Sequence, residues 1–323
     1  MSVLALAGGV GGAKLAEGLA AILPPGTLTV AVNTGDDFEH LGLSISPDID
    51  TVTYTLAGLN NQEQGWGLEG ETWNFIKALE RMGGETWFRL GDRDLATHIE
   101  RTRRLKSETL SEITADFAHR LGIKQHIVPM SDDRVRTMVS TEEGNLPFQE
   151  YFVRRRCEPK LKQLTFSGVS TAQASPGFLQ ALNDPSLEAI IICPSNPFLS
   201  ILPITVMQGV REAINAPRRC PIIAVTPIVG GQAIKGPAAK IMKELGLDPS
   251  PVAVARYYSH DLMNILDGFV IDQVDSDLVK EIKNVDVLVA DTIMKNRADR
   301  HRLAREVLDF AKCVSPRPPW KFD

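Results

Sequence analysis

Short apolar runs bounded by glycine, proline and aspartate mark both ends of this chain, and helical spacing fills much of its middle. Val3 to Ala7 reads as a buried strand, Gly8 to Gly12 as a tight turn, and Ala13 to Ile22 as an amphipathic helix that stops before Pro24-Pro25. Thr27 to Val32 is the next strand, and it runs into an acidic loop. Helical spacing returns over Thr72 to Met82, Asp94 to Leu105 and Leu110 to Leu121. From about 125 to 156 the pattern is β-rich, with His126 to Pro129 and Arg136 to Val139 as short strands. Ala189 to Cys193, Pro221 to Val225, Gly268 to Ile271 and Val287 to Ala290 are continuous apolar runs, as expected of parallel strands covered on both faces.

This alternation predicts an α/β fold: a Rossmann-like, doubly wound, mostly parallel sheet. Residues 1–60 and 170–323 would form the nucleotide- or donor-binding domain, and 61–169 a mixed helical and β insertion contributing to the acceptor site. A chain of 323 residues can bury a core of that size. Its net charge of -5 gives no support for nucleic-acid binding. No apolar run approaches the roughly 18 residues that span a bilayer. Cys157, Cys193, Cys220 and Cys313 are scattered without a CxxC pair, which argues against a zinc site or a disulfide framework and fits a reducing cytoplasm.

The candidate chemistry starts at Gly8-Gly9-Val10-Gly11-Gly12-Ala13-Lys14. Glycines there would let backbone N–H groups and a helix N-terminus meet a diphosphate, with Gly9, Gly11, Gly12 and Lys14 in contact; the alternative is a turn whose glycines serve packing only. One strand later come Asp36, Asp37, Glu39, Asp48 and Asp50, hard oxygen donors of the kind magnesium takes. A solvated loop with aspartate turns and a helix cap would explain them equally. Arg89 and Arg93, in Phe88-Arg89-Leu90-Gly91-Asp92-Arg93-Asp94, are suited to clamp phosphate or carboxylate groups, or to form surface ion pairs. Ser195 and Asn196, in Pro194-Ser195-Asn196-Pro197, follow directly on a buried strand, where open α/β sheets bind ligands. Trp66, Trp73, Trp87 and Phe88 would wall a flat aromatic ligand or fill the core. Two classes fit: a magnesium-dependent transferase acting on a nucleotide diphosphate compound, and a non-catalytic nucleotide-sugar-binding regulator.

Taken in order, Gly8-Gly9-x-Gly11-x-x-Lys14, Asn33-Thr34-Gly35-Asp36-Asp37, Ser46-Pro47-Asp48-Ile49-Asp50-Thr51, Gly91-Asp92-Arg93-Asp94, Pro129-Met130-Ser131-Asp132, Pro194-Ser195-Asn196-Pro197, Pro227-Ile228-Val229-Gly230, Gly236-Pro237-Ala238 and Thr292-Ile293-Met294 resemble the 2-phospho-L-lactate transferases of coenzyme F420 biosynthesis, CofD or FbiA. The resemblance implies a reaction in which a guanosine diphospho-acid gives its phospholactate or phosphoenolpyruvate unit to the ribityl hydroxyl of the deazaflavin FO, releasing GMP. It implies Mg2+ as cofactor and Asp50 and Arg89 as FO-binding residues, while the chemistry of the acidic loop suggests Asp36, Asp37 and Asp48 as the holders of the ion. On the same chemical grounds Asp50 and Asp37 are the catalytic candidates, Asp50 to orient and deprotonate the FO hydroxyl. Small molecules would be the substrates, without nucleic acid or membrane, and a homodimer stays open. The turn reads Gly-Gly-Val-Gly-Gly where archaeal relatives more often carry two threonines, which leaves the donor acid open. The rival is the related family of UDP-sugar-binding gluconeogenesis factors, which share the glycine turn and an acidic loop.

Overall fold

The computed structural model describes residues 2–216, 220–261 and 265–317. The chain runs β1 (Ser2–Ala7), α1 (Gly9–Ile22), β2 (Leu28–Val32), β3 (Phe38–His40), β4 (Leu43–Ile45), α2 (Pro47–Leu56), α3 (Asn74–Arg81), α4 (Asp94–Arg104), α5 (Leu110–Arg120) and β5 (His126–Pro129). Then come β6 (Arg136–Thr141), β7 (Gly144–Pro147), β8 (Leu161–Ser167), α6 (Pro176–Leu182), β9 (Leu187–Ile192), α7 (Leu202–Thr205), α8 (Val210–Asn215) and β10 (Ile222–Val225). The remainder holds β11 (Ile228–Val229), β12 (Gln232–Ala233), α9 (Ala238–Glu244), α10 (Pro251–Arg256), β13 (Gly268–Asp272), β14 (Asp286–Ala290) and α11 (Arg297–Cys313).

Seven strands form one sheet in the order β14-β13-β10-β9-β1-β2-β5, and every ladder in it is parallel. The apolar run of β1 divides by parity. Val3, Ala5 and Ala7 join a core with Leu15 and Leu19 of α1 and Leu303 and Val307 of α11, while Leu4 and Leu6 join Phe198, Ile201 and Ile204 on the other face. A strand buried on both sides needs apolar residues at every position, and this one has them. The α/β doubly wound expectation therefore holds. Among the described residues, no helix is long and apolar enough to cross a membrane.

Strand order fixes where a ligand belongs. From β1 the chain builds outward through β2 and β5, then returns to β1's other side with β9 and builds through β10, β13 and β14. The direction reverses between β1 and β9, and the loops leaving the carboxyl ends of these two strands frame the crevice in which such sheets bind ligands.

Three expectations need correction. The 61–169 insertion is not separate from the sheet: His126 to Pro129 pairs in parallel with β2 and forms its edge. Within the 61–169 span, β7 and β8 flank β6 in a small antiparallel sheet, and β8 lies beyond the stretch expected to be β-rich. The acidic loop contains a hairpin, β3–β4, turned by Leu41 (φ 52) and Gly42 (φ 72). Two successive residues at positive φ match the twist of a two-residue hairpin, and Gly42 takes the second at no steric cost. Finally, α1 begins at Gly9 rather than Ala13, so most of the glycine turn is the helix's own first turn.

Candidate active site at the sheet switch point

The two crevice loops are joined by a hydrogen bond: Gly8 N–H donates to Ser195 Oγ at 3.0 Å. The glycines permit this approach. A Cβ on Gly11 would stand 2.3 Å from the Pro194 carbonyl oxygen, and one on Gly12 would stand 2.3 Å from Ser195 Oγ. Both distances are below any real carbon contact, so packing accounts for these two glycines. A Cβ on Gly9 (φ 62) would meet Asp48 Oδ1 at 3.8 Å, an ordinary contact, and the Gly9 N–H donates to that same oxygen at 2.8 Å. An internal carboxylate thus occupies the N–H where a phosphate was expected, at the positive end of the α1 dipole.

Asp48 is held on its other oxygen by Asn33 Nδ2 at 3.0 Å, and Asn33 Oδ1 in turn accepts the Gly35 N–H at 2.8 Å. Asp37 Oδ2 accepts the Ser46 hydroxyl at 2.8 Å. Asp36, Asp37 and Asp48 are all buried, and Oδ1 of Asp36 and of Asp37 is enclosed without a hydrogen-bond partner. Desolvation pushes all three carboxyls up: Asp37 to about 7, Asp48 to about 6, and Asp36 well above its usual range, the last also because Asp48 adds like charge. The cluster has an unmet demand for positive charge. Among the described residues, the trio of ligand-type side chains whose atoms come within 4.8 Å of one another is Asp50, Asp94 and His98, not these three. That trio is a poor metal site, because the Arg101 guanidinium already lies in it.

Asp50 is 6% exposed and forms a two-toothed pair with Arg101: Nη1 reaches Oδ2 at 3.1 Å and Nη2 bonds Oδ1. Arg101 is 1% exposed and also touches His98 Nδ1 at 3.4 Å. The base role expected of Asp50 does not suit this geometry, since both its oxygens are bound by Arg101.

Arg89 is exposed and lies 4.4 Å over the Trp73 ring. Both line a cavity of about 210 Å³ with Asn61, Gln64, Trp66 and Asp94. The wall segment 61–67 also reaches the glycine turn: a Cβ on Gly65 would stand 2.7 Å from Val10 Cγ1. Lys235 Nζ donates to Gln64 O at 3.1 Å, and Lys14 Nζ to Met294 O at 3.0 Å. Burial and then the neighbouring Arg300 and Lys235 charges lower the Lys14 pKa. The segment that walls the cavity therefore touches both Val10 of α1 and Lys235.

Other sequence candidates divide between roles. Asn196 caps the turn after it, its Oδ1 accepting the N–H groups of Phe198 (3.0 Å) and Leu199 (3.2 Å), while its Nδ2 is buried without a partner. Arg93 fastens the wall by donating to Glu69 O at 3.0 Å. Trp66 and Trp73 line the cavity, whereas Trp87 and Phe88 pack against Phe38 and His40. Tyr54, Asp94, His98 and Arg101 went unassigned by sequence reasoning. The signal was present: Asp94, His98 and Arg101 stand at i, i+4 and i+7, one face of a helix.

Residues 3–308 match the family described as 2-phospho-L-lactate transferase CofD. A phosphoenolpyruvate transferase of Streptomyces coelicolor is 39% identical over 322 residues, covering 97% of this chain and 99% of that protein. A 2-phospho-L-lactate transferase of Methanothermobacter thermautotrophicus is 38% identical over 308 residues, covering 95% and 97%. A crystal structure of a UPF0052-family protein from Bacillus halodurans superposes with a TM-score of 0.60 over 95% of this chain and 98% of that one, at 14% identity, which speaks to the fold alone.

Proposed function

The chain belongs to the 2-phospho-L-lactate transferase (CofD) family, and on that footing we propose that it moves a phospho-acid unit from a guanosine diphospho-acid to the ribityl hydroxyl of FO, releasing GMP. The observation that carries the reading is the junction at the switch point. The segment 61–67, which lines the cavity with Arg89 and Trp73 through Asn61, Gln64 and Trp66, touches Val10 of α1 and accepts a hydrogen bond from Lys235 at the Gln64 carbonyl. The diphosphate would lie along Lys14, Lys235 and the Asn196 loop. FO would enter the cavity, where a flat ring stacks on tryptophan and Arg89 meets an anionic or carbonyl edge. Asp50 acts from behind the cavity wall, through Arg101 and His98.

Mg2+ fits the acidic cluster. Two enclosed carboxylate oxygens without partners are what one ion takes before phosphate and water complete its shell. Asp36 and Asp37 would hold it, with Asp48 fixing their surroundings through Gly9 and Asn33. When bound, it would neutralise charge on the phosphoryl oxygens. The chain's own part is to bring donor and acceptor into line and to exclude water from the phosphorus under attack.

Purified protein given FO, Mg2+ and a panel of donors (lactyl, enolpyruvyl and glyceryl forms) is expected to release GMP with one of the first two. Relatives named for phosphoenolpyruvate and for phospholactate are nearly equally similar, so the panel decides the acid. No GMP with any donor would sink the reading.

A pH test addresses the ion. Acids whose folded pKa is raised stabilise the fold below the unfolded value near 3.8, and that contribution is lost as pH rises through about 6 to 7. Magnesium needs the ionised form, so it competes with protons. The Mg2+-induced rise in Tm over an EDTA control is expected to be larger at pH 8 than at pH 6. An equal or smaller rise at pH 8 would remove the ion from these residues.

A further inference from the structure

Three carboxylates line the cavity, and one of them is placed for chemistry. Glu71 accepts the backbone N–H groups of Thr72, Arg93 and Asp94, so it serves as the cap of α4. Glu69 is exposed. Asp94, with its side chain 18% exposed, is gripped from behind. Its Oδ1 accepts the Tyr54 hydroxyl at 2.6 Å, and Thr97 Oγ1 lies 2.8 Å from the same phenol oxygen. His98 Nε2 stands 3.3 Å from Asp94 Oδ2, and the ring's Nδ1 is 3.7 Å from Asp50 Oδ2.

Arg101 sets the direction of this chain. A guanidinium has only donors, so a hydrogen bond from Arg101 to His98 Nδ1 selects the tautomer with its hydrogen on Nε2, the nitrogen 3.3 Å from Asp94 Oδ2. Asp50 anchors Arg101, Arg101 fixes the His98 tautomer, and His98 with Tyr54 fixes Asp94. Burial pushes the Asp94 carboxyl up, but His98, Tyr54 and Arg101 outweigh it and hold the group below its usual value, hence ionised at neutral pH.

We propose that Asp94 is the catalytic residue that takes the proton of the attacking hydroxyl, with Tyr54, His98 and Arg101 as positioning residues. The proposal rests on the transferase reading above. The acceptor's hydroxyl oxygen forms a bond to the phosphorus that bears the acid, and that phosphorus loses its bond to the bridging oxygen. GMP departs with the electron pair, and the hydroxyl proton passes to an Asp94 oxygen and from there to water at the cavity mouth. A carboxylate of modest basicity suffices when it orients the hydroxyl and takes its proton as the bond to phosphorus forms.

Asp94→Asn is nearly isosteric and is expected to lower kcat for GMP release about 10²- to 10³-fold. The FO KM and the FO dissociation constant, read by deazaflavin fluorescence, should move less than about threefold, because the lost interaction belongs to the transition state. Two results overturn the role: a kcat within about fivefold of the native protein, or a loss of FO binding that accounts for the loss of kcat. Native protein that releases no GMP sinks both this and the transferase reading, whereas an active native protein beside an active Asp94→Asn variant sinks only the base. Should Asp94→Asn not fold, Tyr54→Phe carries the test. Loss of one hydrogen bond to Asp94 predicts about tenfold lower kcat at unchanged KM, and an unchanged kcat overturns the proposal.

Discussion

Arg101→Met is expected to cost the fold about 3–5 kcal/mol, the usual penalty for leaving a buried charge without its partner. Methionine matches much of the arginine stem, so the loss comes from Asp50, which is 6% exposed and bound by Arg101 at both oxygens. The guanidinium also reaches Ser44 O at 3.4 Å, so the β3–β4 hairpin loosens together with the α2–α4 contact. Urea denaturation should show a lower midpoint at unchanged slope. Adding Asp50→Asn to the same chain removes the stranded charge and should recover part of the loss, the sign of coupling expected for a direct pair. A single-variant loss below about 1 kcal/mol would mean that the pair behaves like a surface ion pair and does not fasten α2 to α4.

Asp48→Asn should act on turnover more than on folding. The carboxylate accepts from Gly9 N–H and from Asn33 Nδ2, and an amide offers one acceptor oxygen where two donors point. One buried N–H then faces another donor, at a cost of about 1–3 kcal/mol. The displaced Asn33 releases Gly35, and with it the backbone that carries Asp36 and Asp37. GMP release is expected to fall about 100-fold or more, the scale seen when one preorganised electrostatic contact is removed, and the Mg2+ requirement should shift to higher concentration. Full turnover at the native Mg2+ optimum would show that the Gly9–Asp48–Asn33 link is scaffolding only.

How much of this was legible depended on whether a residue's partner lay nearby in the chain. The strands of the parallel sheet were readable because burial on both faces leaves a run such as Ile190-Ile191-Ile192 wholly apolar. The β3–β4 hairpin was not, since each strand has three residues with Glu39 or Ser44 at its centre, too short for an alternation to show. The pattern of His126 to Pro129 announces a strand but not its sheet: periodicity reports what a segment is, and pairing with β2 is decided by neighbours 97 positions away. The site shows the same limit. Asp94, His98 and Arg101 lie in a segment whose pattern gives only a helix, and the partner that holds Arg101 in place, Asp50, stands 51 positions earlier. Conversely, the glycine turn was located correctly but its Gly9 N–H donates to Asp48, which no local pattern announces.

Helix α2 carries one residue for each of these couplings: Asp48 to α1, Asp50 to Arg101 and Tyr54 to Asp94. Six residues of helix separate the first from the last, about 9 Å at 1.5 Å per residue. The helix is thus a ruler between the start of α1 and the Asp94 side of the cavity, and it works by length and pitch rather than by motion. One inserted residue between Asp48 and Tyr54 would add about 1.5 Å and turn the far end by about 100°. Both calibrations would be lost at once, so this short segment should tolerate substitution far better than any change in its length.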